Sequence, residues 1–294
     1  MRTTMTIRAF AIVIAAGALS AASLSAQTDR GDTSRDFHWS GTVGSGHWLR
    51  VRNLSGAVHV QAASGNDVVV DAHKRWRHGD PALVRFTVDK TSDGDILICA
   101  LWGNESSCDE DGYQSHSHHH HGWDDEDDVS VEFTVQLPKG VNIATSTVNG
   151  GVFVDGATGK VEVSTVNGSV EATTLGGPVE ASTVNGDVEV HMHSTSDATH
   201  LEYSTVNGSV KVYLPTELNA DIEMSTVNGS FHSDYPLALS GRIDPHHLHA
   251  QIGTGGPRVR CSTVNGSIDL RRSILPFTVE HLTRGPPLPI CACR

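Results

Sequence analysis

The sequence predicts an all-β fold, most simply a β-solenoid of stacked two-strand rungs, and three observations carry that prediction. The pentapeptide Ser-Thr-Val-Asn-Gly occurs six times, starting at Ser146, Ser164, Ser182, Ser204, Ser225 and Ser262, at intervals of 18, 18, 22, 21 and 37 residues. The residues on both sides of each copy alternate apolar and polar with period two, the signature of a half-buried strand. No stripe of helical period appears after the N-terminal segment.

Each copy ends on Asn-Gly: Asn149-Gly150, Asn167-Gly168, Asn185-Gly186, Asn207-Gly208, Asn228-Gly229 and Asn265-Gly266. A short alternating run leads in, as in Val161-Glu162-Val163 or Ile222-Glu223-Met224, and another leads out, as in Asp187-Val188-Glu189-Val190. Asn-Gly between such runs is also the strongest short hairpin signal, so an antiparallel β-meander is the alternative. A hairpin requires only the Asn-Gly, however, whereas all five residues recur. Stacking of equivalent positions at about 4.8 Å rewards identical side chains, Asn and Thr ladders above all. The six threonines (Thr147, Thr165, Thr183, Thr205, Thr226 and Thr263) share parity with core positions, which points them inward or places them at corners.

Ahead of the first copy the pattern is present but irregular. Val51, Val60 and Val70 recur at nine and ten residues, and all five tryptophans precede residue 124. The reading divides the chain into a signal peptide at 1–26, an N-terminal β-region at 37–141 with an insertion at 104–128, solenoid repeats at 142–272, and a disordered tail at 273–294. The N-terminal region is suited to cap the open end of the stack, where strand edges would otherwise stand unpaired.

The first 26 residues have the form of a secretory signal: Arg2 and Arg8, an apolar stretch from Ala9 to Ala22, then small residues before Gln27. No cysteine follows that would take a lipid anchor, and no later apolar run reaches the ~18–20 residues that span a bilayer. Export to the periplasm, the cell surface or the medium is the expectation. The chain carries a formal charge of −13, and −15 once the two leader arginines are removed. That balance argues against nucleic acid, which needs clustered Lys and Arg.

Five cysteines enter an oxidising compartment. Cys99 and Cys108, nine apart, are a candidate disulfide. Cys261 lies in a strand-like run as a buried thiol, and Cys291 and Cys293 fall in the tail. The insertion holds nine acids and no Lys or Arg, and between its acid clusters stand His116, His118, His119, His120 and His121. Neutral imidazoles flanked by carboxylates suit zinc, nickel or copper, and a solvated acidic loop is the competing reading. His246, His247 and His249 are expected in a loop. The one basic cluster, His73-Lys74-Arg75-Trp76-Arg77-His78, reads as a solvated turn or a charge-protected edge strand. Glu162, Glu171, Glu180 and Glu189 recur facing outward between core valines, and no nucleophile, phosphate-loop or zinc-hydrolase motif accompanies them.

The repeated Thr-Val-Asn-Gly, the run Val135-Gln136-Leu137-Pro138-Lys139-Gly140-Val141 and the Gly253-Thr254-Gly255-Gly256 turn together resemble the bacterial putative-adhesin family of exported β-strand-repeat proteins. The resemblance covers about residues 37–272. It implies a right-handed β-helix-like fold at the cell envelope, with no catalytic residues. The expected function is a non-enzymatic binding or scaffold surface whose partner is an envelope component or surface glycan. Metal binding through the His-rich insertion is the alternative, and a polysaccharide-active enzyme the third reading.

Overall fold

The computed structural model describes residues 36–103, 106–110, 112–114, 128–195, 197–239 and 244–273. The signal segment, the five insertion histidines and the Cys291–Cys293 tail lie outside these residues. The described chain forms a ten-stranded sheet and an eleven-stranded sheet, with a small two-stranded ribbon beside them. The only helical turn among the described residues is Pro81–Leu83.

The solenoid reading holds and the meander does not. In each rung built on a pentapeptide the chain crosses the eleven-stranded sheet, turns at Asn-Gly, and returns along the ten-stranded sheet. Equivalent strands of successive rungs pair in parallel, as Val161–Asn167 does on Asn142–Asn149 and Val188–Met192 on Val170–Thr174. Register is kept position by position: Val152, Val170, Val188 and Val210 form one column, and none exceeds 1% exposure. Alternation along each strand thus builds a single apolar interior between the sheets, from Val43 to Leu270.

All five motif residues recur because each meets its own copy, or the next rung's backbone. The threonines are buried at 3–5% exposure, and their hydroxyls donate to the corner glycine carbonyl of the neighbouring rung. Examples are Thr165 Oγ1 to Gly150 O at 2.7 Å and Thr183 Oγ1 to Gly168 O at 2.8 Å. The asparagines form an unbroken amide ladder in which each Nδ2 donates to the Oδ1 of the asparagine before it in rung order. The order is Asn149, Asn167, Asn185, Asn207, Asn265 and Asn228, with steps of 2.8–2.9 Å. The valines point out, and Val166, Val184, Val206 and Val264 are each 38% exposed. The serines line the outer face of the eleven-stranded sheet.

Two features of rung order depart from chain order. The last copy, at Ser262, lies between the fourth and the fifth: Arg258–Asn265 pairs with His200–Ser204 on one side and Ala220–Asn228 on the other. The 37-residue interval is the path for this. After Phe231–Ser233 the chain returns antiparallel as His247–Ile252 along the outer edge of Ala220–Asn228, then enters the gap between rungs. At the other end, Trp48–Arg52 and Val58–Ala62 form a full rung in register with Asn142–Asn149 and Val152–Ala157. Beyond it the sheets end on antiparallel strands, Val84–Lys90 in one and Asp36–Gly41 in the other. The interior is therefore continuous across residues 141 and 142.

The flanks of the insertion are tied at both ends. Cys99 and Cys108 are disulfide-bonded, which holds the ribbon Ser107–Cys108/Tyr113–Gln114 over the outer face of Ile96–Trp102. Arg52 Nη2 donates to Glu110 O at 2.5 Å on the same side. At the far end the Asp128 carboxylate accepts from the backbone N–H groups of Arg77, His78 and Gly79 at 3.0–3.1 Å. Those donors, led by Gly79, lower the Asp128 pKa from its ordinary 3.8 to about 2. Because the folded pKa is the depressed one, the contribution of this clasp is complete above pH ~3.8 and is lost as pH falls towards ~2. A carboxyl 13C titration of Asp128 is expected to show its midpoint near 2, moving up to the ordinary value when the chain is unfolded in urea.

Candidate binding face

The strands of the eleven-stranded sheet set side chains alternately into the core and out to solvent, so parallel register turns each outward position into a row. One row is Ser146, Ser164, Ser182, Ser204, Ser262 and Ser225. The row beside it reads Ala144, Glu162, Glu180, Glu202, Arg260 and Glu223. Between them runs a shallow, open trough of about 380 Å3, closed at one end by Arg52. Arg52 is only 8% exposed, and its Nη1 donates to Ser146 Oγ at 3.4 Å.

Three carboxylates in adjacent rungs repel unless countered, and Lys160 supplies the counter-charge at 2.7 Å from Glu162 and 3.1 Å from Glu180. Partial burial pulls the Lys160 pKa down, but hydrogen bonds to both glutamates outweigh it and the net shift is upward. Glu202 pairs with His200 at 3.3 Å. The result is a fixed array of hydroxyl and carboxylate groups repeating at the rung spacing, on backbone that register holds rigid.

The sequence places four glutamates on one outward face, and the structure divides them. Glu162 and Glu180 are on the eleven-stranded sheet, while Glu171 and Glu189 are on the ten-stranded one. A rung has two strands and each sheet has its own outer face, so alternate glutamates of the series face opposite ways. On the second face Glu189 meets His191 at 3.0 Å, and His191 stacks on Tyr213 with ring centroids 4.1 Å apart.

At the far end of the serine and glutamate rows the return strand adds two imidazoles. His249 stands opposite Glu223 and His247 opposite Ser225. The expected loop for these histidines is thus a strand, His247–Ile252; His246 alone precedes it. The alternation of Leu248, Ala250 and Ile252 was the signal available for this. His247 Nε2 and His249 Nε2 lie 2.7 Å apart with their rings nearly perpendicular. Arg260 Nη2 donates to Glu223 Oε1 at 2.9 Å, and that bond, more than the nearby histidines and against the effect of burial, holds the Glu223 carboxyl below the usual range.

The basic cluster is part strand and part exposed bend: His73, Lys74 and Arg75 end a strand, and Arg77 and His78 stand exposed in the bend after it. Val68–Arg75 is flanked by strands on both sides. His73 pairs with Asp36 at 2.6 Å and Arg75 with Glu132 at 2.6 Å. Lys74 is buried, donating to Pro81 O at 3.1 Å and lying over the Phe86 ring. His73 and Arg75 thus have acidic partners, while the Arg77 side chain is exposed. Cys261 is a buried free thiol, and burial pushes its pKa up to about 12.

A search of curated proteins finds no match. Among solved structures, the chain is similar to a putative cell adhesion protein from Clostridium sporogenes, at 11% identity and a TM-score of 0.46, over 81% of this chain and 100% of that one. Putative adhesins from Bacteroides fragilis and Parabacteroides distasonis match at 11% and 9% identity, each with a TM-score of 0.25, over 82% of this chain and 98% of theirs. The Toastrack DUF4097 family matches residues 123–271, just over half of the chain. With its rungs, its repeats and that match, the chain belongs to the Toastrack DUF4097 family.

Proposed function

We propose that this chain is a non-enzymatic, exported scaffold of the bacterial envelope that binds a repeating, hydroxyl-rich polymer, an envelope or surface glycan, along the outer face of its eleven-stranded sheet. The observation that carries this reading is the pair of in-register rows, serine beside glutamate, running over consecutive rungs. Carboxylates accept hydrogen bonds from sugar hydroxyls, and serine hydroxyls both donate and accept. Their spacing is fixed by strand pairing and not by loop conformation, so little ordering entropy is lost on binding. The negative charge of the row favours neutral or amine-bearing sugars over phosphorylated ones.

The leader-like segment with Arg2 and Arg8 supports export, and among the described residues no helix is long and apolar enough to cross a membrane. Among the described residues, the glutamates stand beside serine hydroxyls and no activated nucleophile. Their countering by Lys160 and His200 favours holding a ligand over cleaving one.

The test is co-sedimentation of the protein with envelope fractions and isolated polysaccharides, with and without chelator. Replacing Glu162, Glu180 and Glu202 together by alanine is expected to weaken binding by about tenfold or more, equivalent to ~1.4 kcal/mol, while chelator leaves it unchanged. Binding indifferent to that substitution would move the contact surface off this face.

A further inference from the structure

We propose that Glu223, His247 and His249 form a binding site for one divalent cation of the zinc class, separate from the His116–His121 stretch. The ligand atoms of the three side chains all lie within 4.8 Å of one another. Zinc bonds nitrogen and oxygen at about 2.0–2.1 Å, so ligand atoms around one ion sit roughly 3–3.5 Å apart. The two imidazole nitrogens, at 2.7 Å, need to separate by only a few tenths of an ångström to admit an ion.

The backbone already supplies the arrangement. His247 and His249 are two apart on one strand, so both project from the same face. Glu223 is on the adjacent strand, directly opposite His249. That strand, Ala220–Asn228, is itself held on its other side by Arg258–Asn265. Three ligands held by two paired strands lose little freedom on binding.

Arg260 carries a charge that opposes a cation here. Its guanidinium takes Glu223 Oε1 and leaves Oε2 for a cation. It also fixes the carboxylate's orientation, the role that second partners of ligating carboxylates ordinarily fill. Two imidazoles and one carboxylate match the ligand preferences of zinc, copper or nickel and are poor for calcium or magnesium, which take oxygen shells. With three protein ligands on an outer face, the position that completes a tetrahedral shell is left for water.

The experiment uses the full chain with His116, His118, His119, His120 and His121 replaced by alanine, so that metal taken by that stretch is not counted. Zinc titration calorimetry is expected to show one saturable equivalent, and cobalt(II) visible absorption to appear at the same stoichiometry. His249→Ala and His247→Ala, added singly, are each expected to weaken zinc binding at least about tenfold while leaving the β circular dichroism unchanged. Long-range 1H–15N spectra should show the Nε2 signals of these two histidines, and no other pair, shifting at one equivalent. No saturable binding in the alanine background, or binding that both single variants retain, would overturn the proposal.

Discussion

Alanine at Gly186 is expected to unfold the stack around the third pentapeptide. A Cβ built there would stand 2.1 Å from Gly168 O and 2.5 Å from Gly168 C, both backbone atoms of the neighbouring rung. The next rung repeats the contact, with Gly208 meeting Gly186 O at 1.9 Å. No side-chain rotation relieves a clash with backbone, so the rungs must separate. Separation breaks the bonds that close this corner, among them Gly186 N to Asn207 O at 3.0 Å and Thr183 Oγ1 to Gly168 O at 2.8 Å. The φ of +155° at Gly186 adds backbone strain for any L side chain. The summed cost is about 4 kcal/mol or more, a large part of a domain's ordinary 5–15 kcal/mol. Thermal denaturation followed by far-ultraviolet circular dichroism reads it, and two glycines separate the causes. Gly65, with open space around it, should accept alanine without effect. Gly46, open but at φ +83°, should lose only about 1–2 kcal/mol to the left-handed backbone. A Gly186→Ala melting temperature no lower than that of Gly46→Ala would show that the corners do not touch as described.

The corner contact also explains what the sequence disclosed. A recurring pentapeptide could be read as a solenoid because every one of its residues has a partner in the next rung: threonine to glycine carbonyl, asparagine to asparagine, glycine to backbone. The first rung was illegible as a copy because Arg52-Asn53-Leu54-Ser55-Gly56 keeps only the glycine. Asn53 there turns inward, giving its Nδ2 to Val131 O at 2.9 Å and Gly56 O at 3.0 Å, since its outer neighbour is an end strand and not another pentapeptide. Rung order was hidden for the opposite reason. Identical corners pair equally well in any sequence order, so nothing local says that the Ser262 copy inserts ahead of the Ser225 copy. The Glu223, His247 and His249 group depends on that reversal, because only the antiparallel return of His247–Ile252 brings residues more than twenty apart onto one face. The trough was half legible. Outward glutamates follow from alternation, but their division between two faces follows from two strands per rung.

Two valines four residues apart should respond to the same substitution with very different losses of stability. Val188 is 0% exposed and stacks between Val170 and Val210. Aspartate there leaves a carboxyl in the apolar column with no partner, and protonating it removes the charge but not the unmet hydrogen bonds. The loss of packing adds to this, so Val188→Asp should cost several kcal/mol, on the order of 4, and prevent folding at growth temperature. Val184, the valine of the pentapeptide itself, is 38% exposed in a row with Val166 and Val206. Aspartate there stays hydrated and forfeits only contact along that row, so its cost should remain within about 1 kcal/mol. Urea denaturation of both variants tests the assignment of which valine faces in. In a corner where threonine is inside and valine outside, the more apolar residue is the one given to solvent, and hydroxyl-to-carbonyl bonding between rungs is the reason the polar residue is kept in. Equal destabilisation by both substitutions would mean that the valine of the pentapeptide does not stand outside as described.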